Sequence, residues 1–155
     1  MVDTSALVPV TLRREIQETA ALGLFVPVWS PWIVAELNRV LVWRWLATPP
    51  DGLRPGDFSP AAWRRCRAQA NRMMELLSPV FETVNPRPPY PPAWENFPDP
   101  GDHPIWAAAV ASRARFVISE NTRHFPPADD AGARRWEGIE YLRWTDFAAR
   151  LFSTP

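Results

Sequence analysis

The sequence predicts an α/β domain: a parallel sheet with helices on both faces. Helix and strand signals alternate from one end of the chain to the other, the pattern such a sheet produces. The length of 155 residues suits one core and is too short for two ordinary domains, so residues 1–155 read as a single domain. Hydrophobic residues make up 46% and charged residues 22%, the balance of a globular chain rather than a disordered one.

Met1 and Val2 leave little room for a first strand before Asp3, and the apolar run Ala6 to Val10 extends or follows it. A helix is expected from Leu12 to Ala21, closed by Gly23 as its C-terminal cap. Phe25 to Trp29 reads as a buried strand. Ser30 and Pro31 then start a helix, the serine capping it and the proline giving up an N–H that the first turn does not need. Ile33, Leu37, Val40 and Leu41 carry that helix at helical spacing to about Leu46, with Glu36 on a different face from Ile33 and Leu37.

Ser59 and Pro60 repeat the same start, and Trp63, Cys66, Ala70, Met73 and Leu77 form one core-facing stripe behind it. Val80 to Val84 has strand composition. The proline-dense stretch Pro86 to Pro98, with Tyr90, Trp94 and Phe97, is expected to be an irregular loop. Asp102, with Pro104 in the first turn after it, is placed to cap a helix through Ile105, Ala108, Ala109 and Ser112. Phe116 to Ser119 reads as a short buried strand, Ile139 to Leu142 as a last edge strand, and Asp146 to Leu151 as a short helix.

Composition narrows the function. Cys66 is the only cysteine, so no internal disulfide forms and a reducing, cytoplasmic setting is expected. The longest uncharged run, Ala20 to Ala35, contains Gly23, Pro27 and Pro31 and falls short of the ~18 residues of a membrane helix. No secretory signal is recognisable at the start. All 17 positive charges are Arg, which removes any active-site lysine from consideration. That argues against phosphatases and phospho-accepting domains that pair a first-strand Asp with a Lys.

Four acidic residues stand where predicted elements begin or end: Asp3, Glu36, Asp99 and Asp102. Hard cations such as Mg²⁺ and Mn²⁺ are held by a few carboxylates plus water, and such a site can cut a phosphodiester. In an open α/β sheet functional groups gather beyond the carboxyl ends of the strands, where Asp3, Asp102 and Asn121 fall and Glu36 reaches from its helix.

The segments Asp3-Thr-Ser-Ala-Leu-Val, Ser30-Pro-Trp-Ile-Val-Ala-Glu36-Leu, Asp99-Pro-Gly-Asp102-His-Pro-Ile-Trp-Ala-Ala-Ala and Val117-Ile-Ser119-Glu-Asn121-Thr-Arg-His124-Phe125 occur in this order over nearly the whole chain. Together they resemble PIN-domain nucleases, most closely bacterial ones of the toxin–antitoxin type. The resemblance implies a three-layer α/β/α domain around a central, mostly parallel sheet of four to five strands. It also implies an endoribonuclease in which Asp3, Glu36 and Asp102, helped by Asp99, bind one or two Mg²⁺ or Mn²⁺ ions. Those ions activate water, align the scissile phosphate of an RNA substrate and neutralise the leaving oxygen. Asn121 stands where the family carries a fourth acidic residue; it has a ligating oxygen and no charge. Thr4, Ser5, Ser119 and His124 are candidates for contact with substrate. A cognate antitoxin and a second copy of the chain are the partners implied, with no membrane.

Each candidate also has a plainer role. Asp3, Asp99 and Asp102 suit turns or caps, Glu36 a solvent-facing helix position, Thr4 and Ser5 local turn bonds, Ser119 and Asn121 a strand-end loop, and His103 and His124 the surface. Arg64, Arg65, Arg67 and Arg72 form either an RNA-tracking patch or a solvated helix face. Trp43, Trp45, Trp94 and Trp106 suit base stacking, core or interface alike. The neutral Asn121 keeps open an alternative function, a catalytically weak PIN-like module that binds protein or RNA.

Overall fold

Met1–Asp3, a short extended stretch, runs between the two halves of the sheet structure. On one side Val2 N–H donates to Val28 O at 2.9 Å; on the other Ile118 N–H donates to Met1 O and Asp3 N–H to Ile118 O, each at 2.9 Å. The computed structural model describes residues 1–48, 56–94, 97 and 99–153. One sheet pairs β1 (Val28–Trp29) with β2 (Glu82–Thr83) in parallel. The other holds β3 (Phe116–Ile118), β4 (Arg135–Trp136) and β5 (Ile139–Leu142) in the order β3, β5, β4, with β5 parallel to β3 and antiparallel to β4.

The expected single sheet of four to five strands is therefore two small ladders of two and three strands, with Met1–Asp3 bonded to both. The reason is local. Asp3 is extended (φ −80°, ψ 156°), and α1 (Thr4–Leu7) begins directly after it, so the first segment ends before a ladder can grow. Ala6 to Val10, expected to extend or follow that strand, instead spans the end of α1 and the start of α2 (Val10–Ala21). Gly23 follows α2 at φ +72° and donates to Ala20 O at 2.9 Å, the left-handed helix ending that its position suggests.

α3 (Pro31–Ala47) and α4 (Pro60–Leu77) begin as expected, with Ser30 Oγ accepting from Ile33 N–H at 3.3 Å and Ser59 Oγ from Ala62 N–H at 3.2 Å. The two helices pack against each other. The buried stripe of α4 is Ala62, Cys66, Ala70, Met74 and Leu77, turned slightly from the expected one, so that Trp63 and Met73 lie at its margin. β2 is shorter than Val80 to Val84 because a 3₁₀ turn takes Ser78–Val80.

Ile139–Leu142 is not an edge strand; β4 covers it. The hairpin between them turns on Glu137 and Gly138, both at positive φ (51° and 77°), the two-residue turn that right-twisted strands favour. α5 (His103–Ala111) is buried along most of its length and α6 (Trp144–Ser153) covers the sheet through Trp144 and Phe147. Of the loop Pro86 to Pro98, residues 95, 96 and 98 lie outside the described residues, and the rest is neither helix nor strand. Trp94 nonetheless is 5% exposed and meets the rings of Phe97, Trp106, Trp136 and Tyr141, so the loop is pinned to the core. Trp45 and Trp106 are also core residues, whereas Trp43 is exposed.

Candidate metal centre

Asp3, 9% exposed, ends the central extended segment with its carboxylate held from one side by hydroxyls. Ser5 Oγ donates to Asp3 Oδ2 at 2.6 Å and Ser119 Oγ donates to the same oxygen at 2.7 Å. Those hydroxyls are themselves fixed: Glu120 N–H donates to Ser5 Oγ at 2.9 Å and Asn121 N–H to Ser119 Oγ at 3.1 Å. Asp3 Oδ1 has no hydrogen bond among the described residues. Ser5 and Ser119, expected at the substrate, here orient the carboxylate, and they do so because β3 ends beside the first segment.

Glu36 reaches the same edge from α3. Thr4 Oγ1 donates to Glu36 Oε2 at 2.7 Å, so Thr4 also serves a carboxylate rather than facing outward. Arg39 Nη2 lies 3.9 Å from Glu36 Oε1 on the solvent side.

Asp102 sits at the N-cap position of α5, but its backbone is helical (φ −85°, ψ −9°) and its side chain makes no capping bond. The expected capping role therefore fails. A 3₁₀ turn over Pro100–Asp102 precedes α5, and its cap is Asp99, whose Oδ1 accepts from Gly101 N–H at 2.8 Å. Asp102 is thereby free to hydrogen-bond His124 Nδ1. His124 and His103 are not plain surface residues: both are half-buried, and His103 Nε2 bonds Pro91 O at 2.8 Å.

The electrostatics follow from crowding. Burial raises the Asp102 pKa above the ordinary carboxylate value; the His124 bond opposes this, and the charges of Asp3 and Asp99 add to it. Tyr141 on β5 is pushed strongly upward by burial and by Asp102 and Asp3, so its phenol stays protonated at neutral pH.

Asp3, Glu36, Asp102 and Asn121 border one open groove of about 430 Å³, which Arg44 also lines. Behind it, a cavity of about 20 Å³ is lined by Asp3, Asp102, Asn121, His124 and Tyr141. That volume is roughly one water. Asp99 lies on neither wall, but offers an oxygen beside Asp102 and His124.

A sequence model of the PIN domain matches residues 1–123. The chain belongs to the PIN-domain family. No curated protein and no solved structure matches it. PIN domains are generally nucleases that use divalent metals, and the donor set of this PIN domain fits such an ion. Mutually repelling carboxylates with hard oxygen donors, gathered at one partly buried place, are what a divalent cation neutralises.

Two residues of the groove and cavity carry no motif signal. Tyr141 looks like an ordinary strand aromatic. Arg44 was legible in principle, since Glu36, Val40 and Arg44 recur every four residues on one face of α3 and all three line the groove. Arg13 lies behind it, 4% exposed, its Nη1 donating to Leu7 O at 2.7 Å and Val8 O at 3.2 Å. Burial and the neighbouring Arg44 both lower its pKa. The exposed Arg64, Arg65, Arg67 and Arg72 of α4 line neither the groove nor the cavity.

Proposed function

We propose that this PIN-domain chain is a Mg²⁺ or Mn²⁺ dependent endoribonuclease and the toxin of a toxin–antitoxin pair. The observation that carries the reading is the single open groove bordered by Asp3, Glu36, Asp102 and Asn121. A divalent cation bound there supplies an acidified water and charge neutralisation at the scissile phosphate. Asp3, Glu36 and Asp102 hold the cation, and Asn121 contributes an uncharged oxygen. Ser5, Ser119 and Thr4 keep two of those carboxylates in one rotamer, and Tyr141 and the aromatic wall of the cavity exclude bulk water. The proposal takes residues 1–155 as one three-layer domain working in the cytoplasm, with a cognate antitoxin and a second copy as partners. No helix among the described residues is long and apolar enough to cross a membrane.

The test is cleavage of structured and unstructured RNA with either metal, beside Asp3→Asn and Asp102→Asn. Loss of activity in both variants is expected; unchanged activity in both sinks the mechanism. Asn121 favours a second reading, a catalytically weak module for protein or RNA binding, because the groove lacks one negative charge. Metal titration separates the two: no Mn²⁺ uptake at millimolar concentration by the folded chain supports the second.

A further inference from the structure

We propose that the aromatic cluster of Trp43, Trp63 and Phe58 is a stacking platform for the bases of single-stranded RNA, placed where a strand leaves the carboxylate groove. The inference rests on the ribonuclease reading and deepens it, because it sets the substrate class as unpaired RNA.

The spacing along α3 joins platform and groove. Glu36, Val40 and Arg44 recur every four residues and line the groove. Trp43 stands two turns beyond Glu36 on nearly the same face of the helix, about 10 Å further along its axis. A strand that crosses the groove past Val40 and Arg44 runs onto Trp43.

The rings are exposed and yet held. Trp43 is 53% and Phe58 59% exposed, a large apolar surface to leave in water. Trp43 meets Trp63 nearly edge to face, with centroids 5.3 Å apart and planes at 76°, and meets Phe58 at 6.2 Å. Trp63 is itself packed against the core, so the cluster is anchored from below. Clamped rings offer a base its stacking area without first ordering a loose side chain, and every base has a π-face to lay on them.

The charges around the rings suit a polyanion. Arg39 lies one turn before Trp43 on α3 and Arg67 one turn after Trp63 on α4, each on the face of its tryptophan and each exposed. Arg44 follows Trp43 directly. The acidic neighbour in sequence, Asp57, accepts from Ser59 N–H at 2.9 Å. Guanidinium groups for phosphates interleaved with rings for bases are the make-up of a single-strand site. In a duplex the bases stack on one another and their faces are closed, so the platform selects unpaired RNA.

The experiment titrates the full chain, with divalent metal chelated so that nothing is cut, into three labelled probes: a single-stranded oligouridylate, an RNA duplex of the same length, and an abasic ribose-phosphate strand. Fluorescence anisotropy gives each affinity. Trp43→Ala is expected to weaken single-strand binding by about 5- to 100-fold and Trp43→Phe by less. Both variants should bind the duplex and the abasic strand as wild type does, with an unchanged salt slope. With Mn²⁺ present, KM for unpaired RNA should rise in Trp43→Ala. Should Trp43→Ala fail to fold, Phe58→Ala, at an exposed position ahead of α4, must show the same base-dependent loss.

Equal single-strand affinity in wild type and Trp43→Ala, or an equal loss on the abasic strand, overturns the platform and leaves the nuclease reading standing. Self-association of wild type that Trp43→Ala abolishes, with RNA binding unmoved, assigns the patch to a second copy and overturns it likewise. A base-dependent loss in Trp43→Ala beside a wild type that never cleaves RNA keeps the platform and overturns the nuclease reading. A wild type that neither binds nor cleaves single strands overturns both.

Discussion

Thr4 and Glu36, 32 residues apart, are joined by a 2.7 Å hydrogen bond from the Thr4 hydroxyl to Glu36 Oε2. The bond fixes a long, half-exposed side chain that would otherwise sample many rotamers, on the lining of the groove that Asp3 and Asp102 also border. Supporting hydrogen bonds of this kind commonly change metal affinity by about 10- to 100-fold. Thr4→Val, nearly the same shape without the hydroxyl, is expected to weaken Mn²⁺ binding toward the lower end of that range, and Thr4→Ser to restore it. Calorimetric titration of the three proteins checks this; equal affinities would show that Glu36 needs no support.

Asp102 gives a prediction in which stability and function diverge. Its folded pKa lies above the ordinary carboxylate value, chiefly through burial, so it binds its proton more tightly in the fold than in the unfolded chain. That stabilisation is present below the ordinary value and is lost as pH rises through the raised one. Near neutral pH the metal-free protein carries a carboxylate charge whose burial the His124 contact only partly offsets, and Asp102→Asn is expected to melt at a higher temperature than wild type while losing cleavage. The gap should close towards about pH 3.5 to 4, where both side chains are neutral. Saturating Mn²⁺ should reverse the order, because an ion at 100 times its Kd adds about 2.7 kcal/mol to the form that binds it. Thermal melts across pH, with and without metal, decide it.

How far the sequence leads depends on the kind of signal. Ser30-Pro31 and Ser59-Pro60 mark both long helices because a side-chain cap and a first-turn proline act within four residues, and both caps are present. The β4 strand escapes notice because two residues carry no alternation and its turn, Glu137-Gly138, lacks the usual Asn or Asp before the glycine. The acidic residues can be read as a set, but which neighbours serve them cannot. Ser5 and Ser119, 114 residues apart, meet only because Met1–Asp3 lies against β3. The assignment of the cap to Asp102 rather than Asp99 fails for a similar reason: the 3₁₀ turn that moves the helix start is a product of Pro100-Gly101, not of helical periodicity.

Away from the groove, an ion pair ties α6 to the sheet. Arg150 donates to both oxygens of Glu140, Nη1 to Oε2 at 2.8 Å and Nη2 to Oε1 at 2.9 Å, and Arg135 Nε lies 3.5 Å from Oε2. The Arg150 bonds are the largest cause of the lowered Glu140 pKa. A lowered carboxylate pKa contributes stability above the ordinary value that is lost as pH falls through the folded one. Arg150→Ala leaves a buried carboxylate with a poorer partner and is expected to cost about 1 to 3 kcal/mol at neutral pH. Its acid limb should be shallower than wild type below about pH 5. Arg150→Lys should recover only part of the loss, since an ammonium cannot make both parallel bonds. Denaturant titrations at several pH values measure all three.

Arg44 lines the same groove as Asp3, Glu36 and Asp102. It has no acidic partner among the described residues and is close enough to the buried Arg13 to lower that residue's pKa. Two like charges held together beside a carboxylate cluster suit an incoming phosphate, which can be gripped by a guanidinium fork while the cation holds the neighbouring one. Arg44→Ala is therefore expected to raise KM and leave kcat within a few-fold, because the contact is made with bound substrate as much as with the transition state. The salt dependence supplies an independent measure. Removing one phosphate contact to a single strand lowers the slope of log affinity against log salt by about 0.7. A fall in kcat with an unchanged salt slope would instead place Arg44 among the groups that hold the cation's carboxylates in position.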